Sequence, residues 1–305
     1  MEIKLGCLDK SDDPKDPRDY QLASILPEAI NTPEEFMELK SKLSKVGYQN
    51  YGTCTNWGTI SGIKEYQEGN DLSEYFGYIN TKKISQLYDI EGDYVKNALK
   101  SVCDYGVCKA GLFPDNPGRN WAEYVRKEPS KEAYEDAAKR KGKTYWSVGS
   151  SIQDFKNAIF NYKAPVVFAM DWFRTYNTTP KSGRLPLPND YVGGHCMAAI
   201  GWDKNGIWVK NSWGTGWGNG GFFYIPFEDW YKHNIFNCWI LLDLDKNIMV
   251  DEAKLTQIYQ EILMRVPDEG AKGYIGQEEE IVRGIVGSCE ERKDLIALVN
   301  AARRV

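Results

Sequence analysis

Lys210-Asn211-Ser212-Trp213-Gly214-Thr215-Gly216-Trp217-Gly218 places a carboxamide, two indoles and three glycines within nine residues. A carboxamide can bond one ring nitrogen of a histidine and fix its tautomer without adding charge. A neighbouring indole can keep water from that bond. Sixteen residues upstream, Gly193-Gly194-His195-Cys196-Met197 supplies the imidazole. Two glycines before it let another backbone approach closely.

Far upstream, Gln49-Asn50-Tyr51-Gly52-Thr53-Cys54-Thr55-Asn56-Trp57 adds a thiol and a second carboxamide. Trp57, Ile60, Ile63 and Tyr66 recur at three-residue steps, which predicts a helix with Cys54 in its first turn. A thiol there is favoured as thiolate by the helix dipole and by a nearby imidazolium, and histidine can then protonate a leaving group. The three stretches together carry the parts of nucleophilic catalysis by cysteine.

Around them the pattern divides. Thr32 to Lys45 is predicted as a helix, with Thr32 as cap and Pro33 in its first turn. Val95 to Tyr105, Lys131 to Lys141 and Ser150 to Tyr162 also read as helices. Thr144 to Val148, Pro165 to Met170, His195 to Ile200, Gly206 to Lys210 and Gly221 to Ile225 read as strands. A helical first half and a strand-rich second half make the class α+β. All ten tryptophans fall between Trp57 and Trp239, so composition changes near residue 245. Beyond it, apolar residues at three and four residue steps predict three short helices over 250–305.

These motifs resemble the papain-like cysteine peptidases. Asn211 to Gly218 carries the resemblance most specifically, and His195 and Asn211 follow Cys54 by 141 and 157 residues, near the separation usual in that family. Asp16-Pro17-Arg18-Asp19 and Gly52-Thr53-Cys54-Thr55 look closest to a bacterial and phage branch. The resemblance implies a two-lobed fold, a helical lobe and an antiparallel, barrel-like strand lobe, with a small all-α appendage. Its bounds are an N-terminal arm and helix over 1–45, a peptidase domain over 46–246 (lobes about 46–130 and 131–246), and a C-terminal module over 250–305.

It further implies Cys54 as nucleophile, ion-paired with His195 as general acid/base, and Asn211 as the residue orienting that histidine. Trp213 would cover the contact, Gln49 would complete the oxyanion hole, and Gly193 and Gly194 would meet the substrate backbone. Two departures stand out. Gln49 precedes Cys54 by five residues where the family has six, and a gap-free register puts Trp57 in the nucleophile's place and makes Cys54 structural. The implied function is peptide-bond hydrolysis through an acyl-enzyme, without a cofactor. An inactive structural or adaptor protein and an acyl transferase with the same Cys-His-Asn chemistry are the alternatives. His233 is read as a surface or packing residue.

The chain of 305 residues has 38 Lys+Arg against 43 Asp+Glu, a net charge of -5, which disfavours a nucleic-acid or anionic-membrane partner. Acidic residues in Met1 to Pro17 fit no signal peptide, and seven scattered cysteines fit a reducing compartment, cytoplasmic or virion-associated. Cys103 and Cys108 lack the companions of a zinc site. The C-terminal helices resemble small modules of unknown function in bacterial surface-associated proteins, and are expected to pack on the peptidase domain or to dock a partner.

Overall fold

Gly58 and Gly62 sit four residues apart on the helical run that starts at Cys54, and they decide how closely it can lie on the sheet. A Cβ on Gly58 would come 2.9 Å from the Cys196 Sγ, and one on Gly62 would come 2.4 Å from the Ala198 Cβ. The two glycines therefore bring this run directly onto the strand that carries His195. The run is α1 (Cys54–Asn56), a wider π-type stretch (Trp57–Lys64) and α2 (Glu65–Glu68), ended by Gly69 at φ 66°. These features come from a computed structural model that describes residues 4–8 and 32–242, except 117 and 119. The helices expected over 250–305 and the arm at Asp16 to Asp19 lie outside the described residues.

Against this run pack α3 (Glu74–Ser85), capped by the Ser73 hydroxyl, and α4 (Val95–Asp104). Further on, α5 (Trp121–Val125) and α6 (Lys131–Ala137) start at Asn120 and Ser130 caps, and α7 (Ile152–Tyr162) has a Ser151–Asp154 capping box. Ala133 and Ala137 of α6 join Tyr75, Phe76, Tyr78, Ile79 and Tyr124 in one aromatic-rich core.

The second half builds a six-stranded antiparallel sheet in the order β1-β6-β2-β3-β4-β5. Its strands are β1 (Thr144–Ser147), β2 (Val166–Phe173), β3 (Tyr191–Trp202), β4 (Gly206–Lys210), β5 (Phe222–Pro226) and β6 (Ile235–Leu242). The expected strands over the first five are present, and the α+β class holds. β6 was not legible as a strand, because Ile235–Leu242 is buried on both faces and lacks polar alternation.

The helix expected over Thr32 to Lys45 does not form. Only Glu38–Lys42 is helical, as a short 3-10 turn. Phe36 exchanges two backbone hydrogen bonds with Trp202, at 2.8 and 2.9 Å, and its ring packs on Trp202 and Phe160. Pairing to the end of β3 thus holds the segment extended and overrides its helical signals.

Candidate active site

Asn211, Ser212 and Trp213 follow β4 directly, and each of the three holds a different part of the site. Asn211 Oδ1 accepts from the Ser212 backbone N–H at 2.8 Å, which identifies this atom as the carbonyl oxygen. His195 Nε2 lies 2.8 Å from the same oxygen and must therefore donate. The proton is on Nε2, and Nδ1 is left with a lone pair. That Nδ1 is buried and has no hydrogen-bond partner among the described residues.

Trp213 stacks on the His195 ring at 4.6 Å between centroids and an interplanar angle of 21°. Trp172 of β2 stands edge-on to both, 4.9 Å from His195 and 4.8 Å from Trp213. Covered by two indoles that also touch each other, His195 is fully buried, and desolvation pulls its pKa down to about 4 against the opposing hydrogen bond to Asn211. Sequence reading missed Trp172, one aromatic among many in a buried strand.

Ser212 orients Gln49. The Gln49 backbone N–H donates to the Ser212 carbonyl at 2.9 Å, and the Ser212 hydroxyl donates to Gln49 Oε1 at 2.5 Å. The side-chain NH2 is thereby turned away from Ser212, and it donates to the carbonyls of Lys4 at 2.8 Å and Tyr51 at 3.1 Å. Gly214 N–H to Gly47 O, at 2.8 Å, continues the pairing. Nothing in sequence spacing marks Ser212 as the partner of Gln49.

Cys54 opens α1, buried completely. Burial pushes its thiol up to about 12, while hydrogen bonding from the backbones of Cys196, Gly6, Cys54 itself and Thr55 acts in the opposite sense. The turn before it is tied down by the Gly52 N–H, which donates to Glu91 Oε2 at 3.0 Å. Burial acts on both groups toward their neutral forms, and among the described residues His195 Nδ1 takes no hydrogen bond.

Cys54 packs in one core cluster with Ile60, Leu72, Val95, Val167 and Cys196, and the N-terminal segment adds to its surroundings through Cys7 of the same cluster and the Gly6 backbone. Residues 4–8 run through the cleft, bridging to Asp93 in parallel and to Gly194 in antiparallel fashion at Cys7. Cys7 N–H donates to Gly194 O at 3.2 Å, Leu8 N–H to Asp93 O at 3.1 Å, and Asp93 N–H to Gly6 O at 2.9 Å. Gly193 faces the Leu5 side chain, where a Cβ would lie 3.2 Å from Leu5 Cδ1. The two glycines expected to meet a substrate backbone thus meet this segment. Asp93 is held in turn by a buried Lys82, whose Nζ donates to Ile90 O at 2.9 Å and to Gly92 O at 2.5 Å, and lies 3.3 Å from Asp93 Oδ2.

The remaining sequence features fall elsewhere. Trp57 lies three residues past Cys54, in the π-type stretch, and packs on Gly47. His233 is buried, not on the surface, with Nδ1 2.6 Å from the Tyr176 hydroxyl. Among the described residues no helix is long and apolar enough to cross a membrane.

A helical layer laid on an antiparallel sheet, with a histidine–asparagine pair under an indole at their junction, defines the class of papain-fold proteins. The chain belongs to the papain family: the profile described as "Papain family cysteine protease" matches residues 60–237, more than half of it. The matched residues contain His195, Asn211 and Trp213 but start after Gln49 and Cys54. An uncharacterized peptidase C1-like protein of Acanthamoeba polyphaga mimivirus is 26% identical over 238 residues, 70% of this chain and 75% of that protein. Papain of Carica papaya is 27% identical over 205 residues, 64% of this chain and 55% of papain. Among solved structures, xylellain, a cysteine protease from Xylella fastidiosa, superposes with a TM-score of 0.67 at 23% identity, covering 79% of this chain and 98% of xylellain.

Proposed function

We propose that the chain is a thiol peptidase that cleaves peptide bonds through an acyl-enzyme on Cys54. The single observation that carries this reading is the His195–Asn211 pair, with the proton fixed on Nε2 and a lone pair on the buried Nδ1. In that tautomer Nδ1 is the base able to take the Cys54 proton once the thiol is brought to it. The thiolate adds to the scissile carbonyl carbon, and the carbonyl electron pair moves to oxygen. Gln49 Nε2 and the Cys54 backbone N–H then bear on the negative oxygen. His195 gives its new proton to the departing amine, the acyl-thioester forms, and water activated by His195 hydrolyses it, returning the thiol. Protein or peptide is the substrate, and no step draws on a cofactor.

The specific observation favouring the inactive adaptor reading is the thiol's complete burial, in a core cluster and against the Gly6 backbone. The test separates the two. An epoxysuccinyl peptide is applied at pH 6 to the native chain and to Gly6→Val, chosen because a side chain at Gly6 collides with the Gly52 backbone. Intact mass is then compared with Cys54→Ala and His195→Ala in the Gly6→Val background. Ordinary thiols, with pKa near ~8.5, react slowly at that pH. A single adduct lost in Cys54→Ala and slowed in His195→Ala supports the peptidase. No adduct in Gly6→Val, or labelling spread over several cysteines, overturns it. Transfer of the acyl group to an added amine without net cleavage assigns the transferase instead.

A further inference from the structure

The walls of the cleft that holds residues 4–8 are glycine on both lobes. A Cβ on Gly52 would lie 2.6 Å from Leu5 O, one on Gly92 2.7 Å from Gly6 O, and one on Gly194 2.4 Å from Cys7 O. Each obstacle is backbone, which cannot swing aside as a side chain can. The channel is therefore shaped to a main chain, and the occupant faces the same restriction. A Cβ on Gly6 would lie 2.0 Å from Gly52 O and 2.3 Å from the Gly52 carbonyl carbon, separations that real Cβ atoms essentially never show.

The polar groups of the channel match an extended peptide. Asp93 offers both its N–H and its C=O, Gly194 offers a C=O, and Gln49 offers an amide N–H, and all four are taken by residues 4–8. Main-chain pairing of this kind gives affinity without reading sequence, so selectivity has to come from where side chains fit. One position, facing Gly52, admits none. The position before it carries an apolar side chain across Gly193.

We infer that the cleft between Asp93 and Gly194 is a recognition slot for an extended peptide that carries glycine at the position of Gly6 and an apolar residue just before it. Residues 4–8, Lys4-Leu5-Gly6-Cys7-Leu8, are its occupant in cis. This deepens the proposed function, on which it rests for the purpose of the slot, by naming the class of peptide that enters. The tethered occupant competes at the high effective concentration of a linked ligand, on the order of millimolar. A free peptide therefore binds well only when the segment is displaced.

The test reads binding and not turnover. The full chain carries Cys54→Ala, alone or with Gly6→Val; a third form lacks residues 1–8, in case the valine disturbs folding. The probe is a fluorescein-labelled Lys-Leu-Gly-Ser-Leu peptide, serine replacing cysteine to prevent disulfide formation, and its control has alanine for glycine. Anisotropy is expected to show the glycine peptide binding either opened form at least about tenfold more tightly than the closed chain. The alanine peptide should bind at least about tenfold more weakly than the glycine peptide, as a backbone collision demands. Equal binding of the two peptides, or no binding to opened forms whose circular dichroism is native, overturns the inference. The outcomes are separable from those of the epoxide test. Glycine-selective binding without thiol labelling leaves a peptide-binding module, and thiol labelling without glycine selectivity leaves a peptidase with a different specificity.

Discussion

Ser212 and Gln49 are joined twice, backbone to backbone at 2.9 Å and side chain to side chain at 2.5 Å. This double link crosses from the end of β4 to the segment before the Cys54 turn, and it fixes which end of the Gln49 amide faces away from Ser212. Asn211, one residue earlier, does the same for His195.

Gln49→Ala should lower kcat of the opened enzyme on a fluorogenic peptide by about 10²–10³, the usual cost of losing one donor to a developing oxyanion. Ser212→Ala should cost less, since the amide is kept and only its orientation is freed. Alkylation of Cys54 by iodoacetamide should stay at its parental rate in both. A parallel fall in alkylation would place Gln49 in support of the thiol and not of the oxyanion.

Asn211→Ala should slow hydrolysis by roughly 10–100-fold, by analogy with metal-site histidines that lose the partner orienting them. The two-dimensional NMR signature of the imidazole checks the cause. The variant should populate both neutral tautomers where the parent shows only the Nε2–H form.

Acid should destabilise the fold between about pH 6.5 and pH 4. Burial lowers both His195 and His233 to about 4 from an ordinary value of 6.5. Over that window the unfolded chain binds protons that the folded chain does not, so stability falls as pH falls. The loss is at most on the order of 3 kcal/mol per histidine. Urea midpoints taken across pH 4 to 7 should drop toward the acid side, and His233→Gln should flatten the slope. A midpoint independent of pH in the parent would contradict the buried, neutral state of both rings.

Lys82→Met should cost about 3–5 kcal/mol, because it leaves Asp93 charged and buried without its cation. Thermal unfolding reads the loss. Lys82→Met combined with Asp93→Asn should recover part of it, whereas an additive loss would show that the pair contributes nothing as a pair.

The candidate site residues stood out in the sequence because the proposed chemistry demands rare side chains in company. Cys54 sits before a helix-period run, and His195 and Asn211 stand in two glycine-rich motifs sixteen residues apart. Trp213 was legible for the same reason. Gly193 and Gly194 were legible as a close approach, although what approaches them here is Leu5 and Cys7 of the same chain. Local pattern failed where tertiary pairing won. Thr32 and Pro33 signal a helix start, yet Phe36 is held extended by Trp202.

By itself the sequence determined the α+β class, the order of most elements and the set of groups able to do the chemistry, since periodicity and residue type are local properties. Only the tertiary structure decided in which direction burial shifts those groups and what packs against them. Both depend on burial, and burial is set by segments distant in sequence: Trp172 and Trp213 close over His195, and Gly6, Cys7, Val167 and Cys196 gather around Cys54. A glycine at position 6 has no meaning until folding brings the Gly52 carbonyl to where its side chain would be.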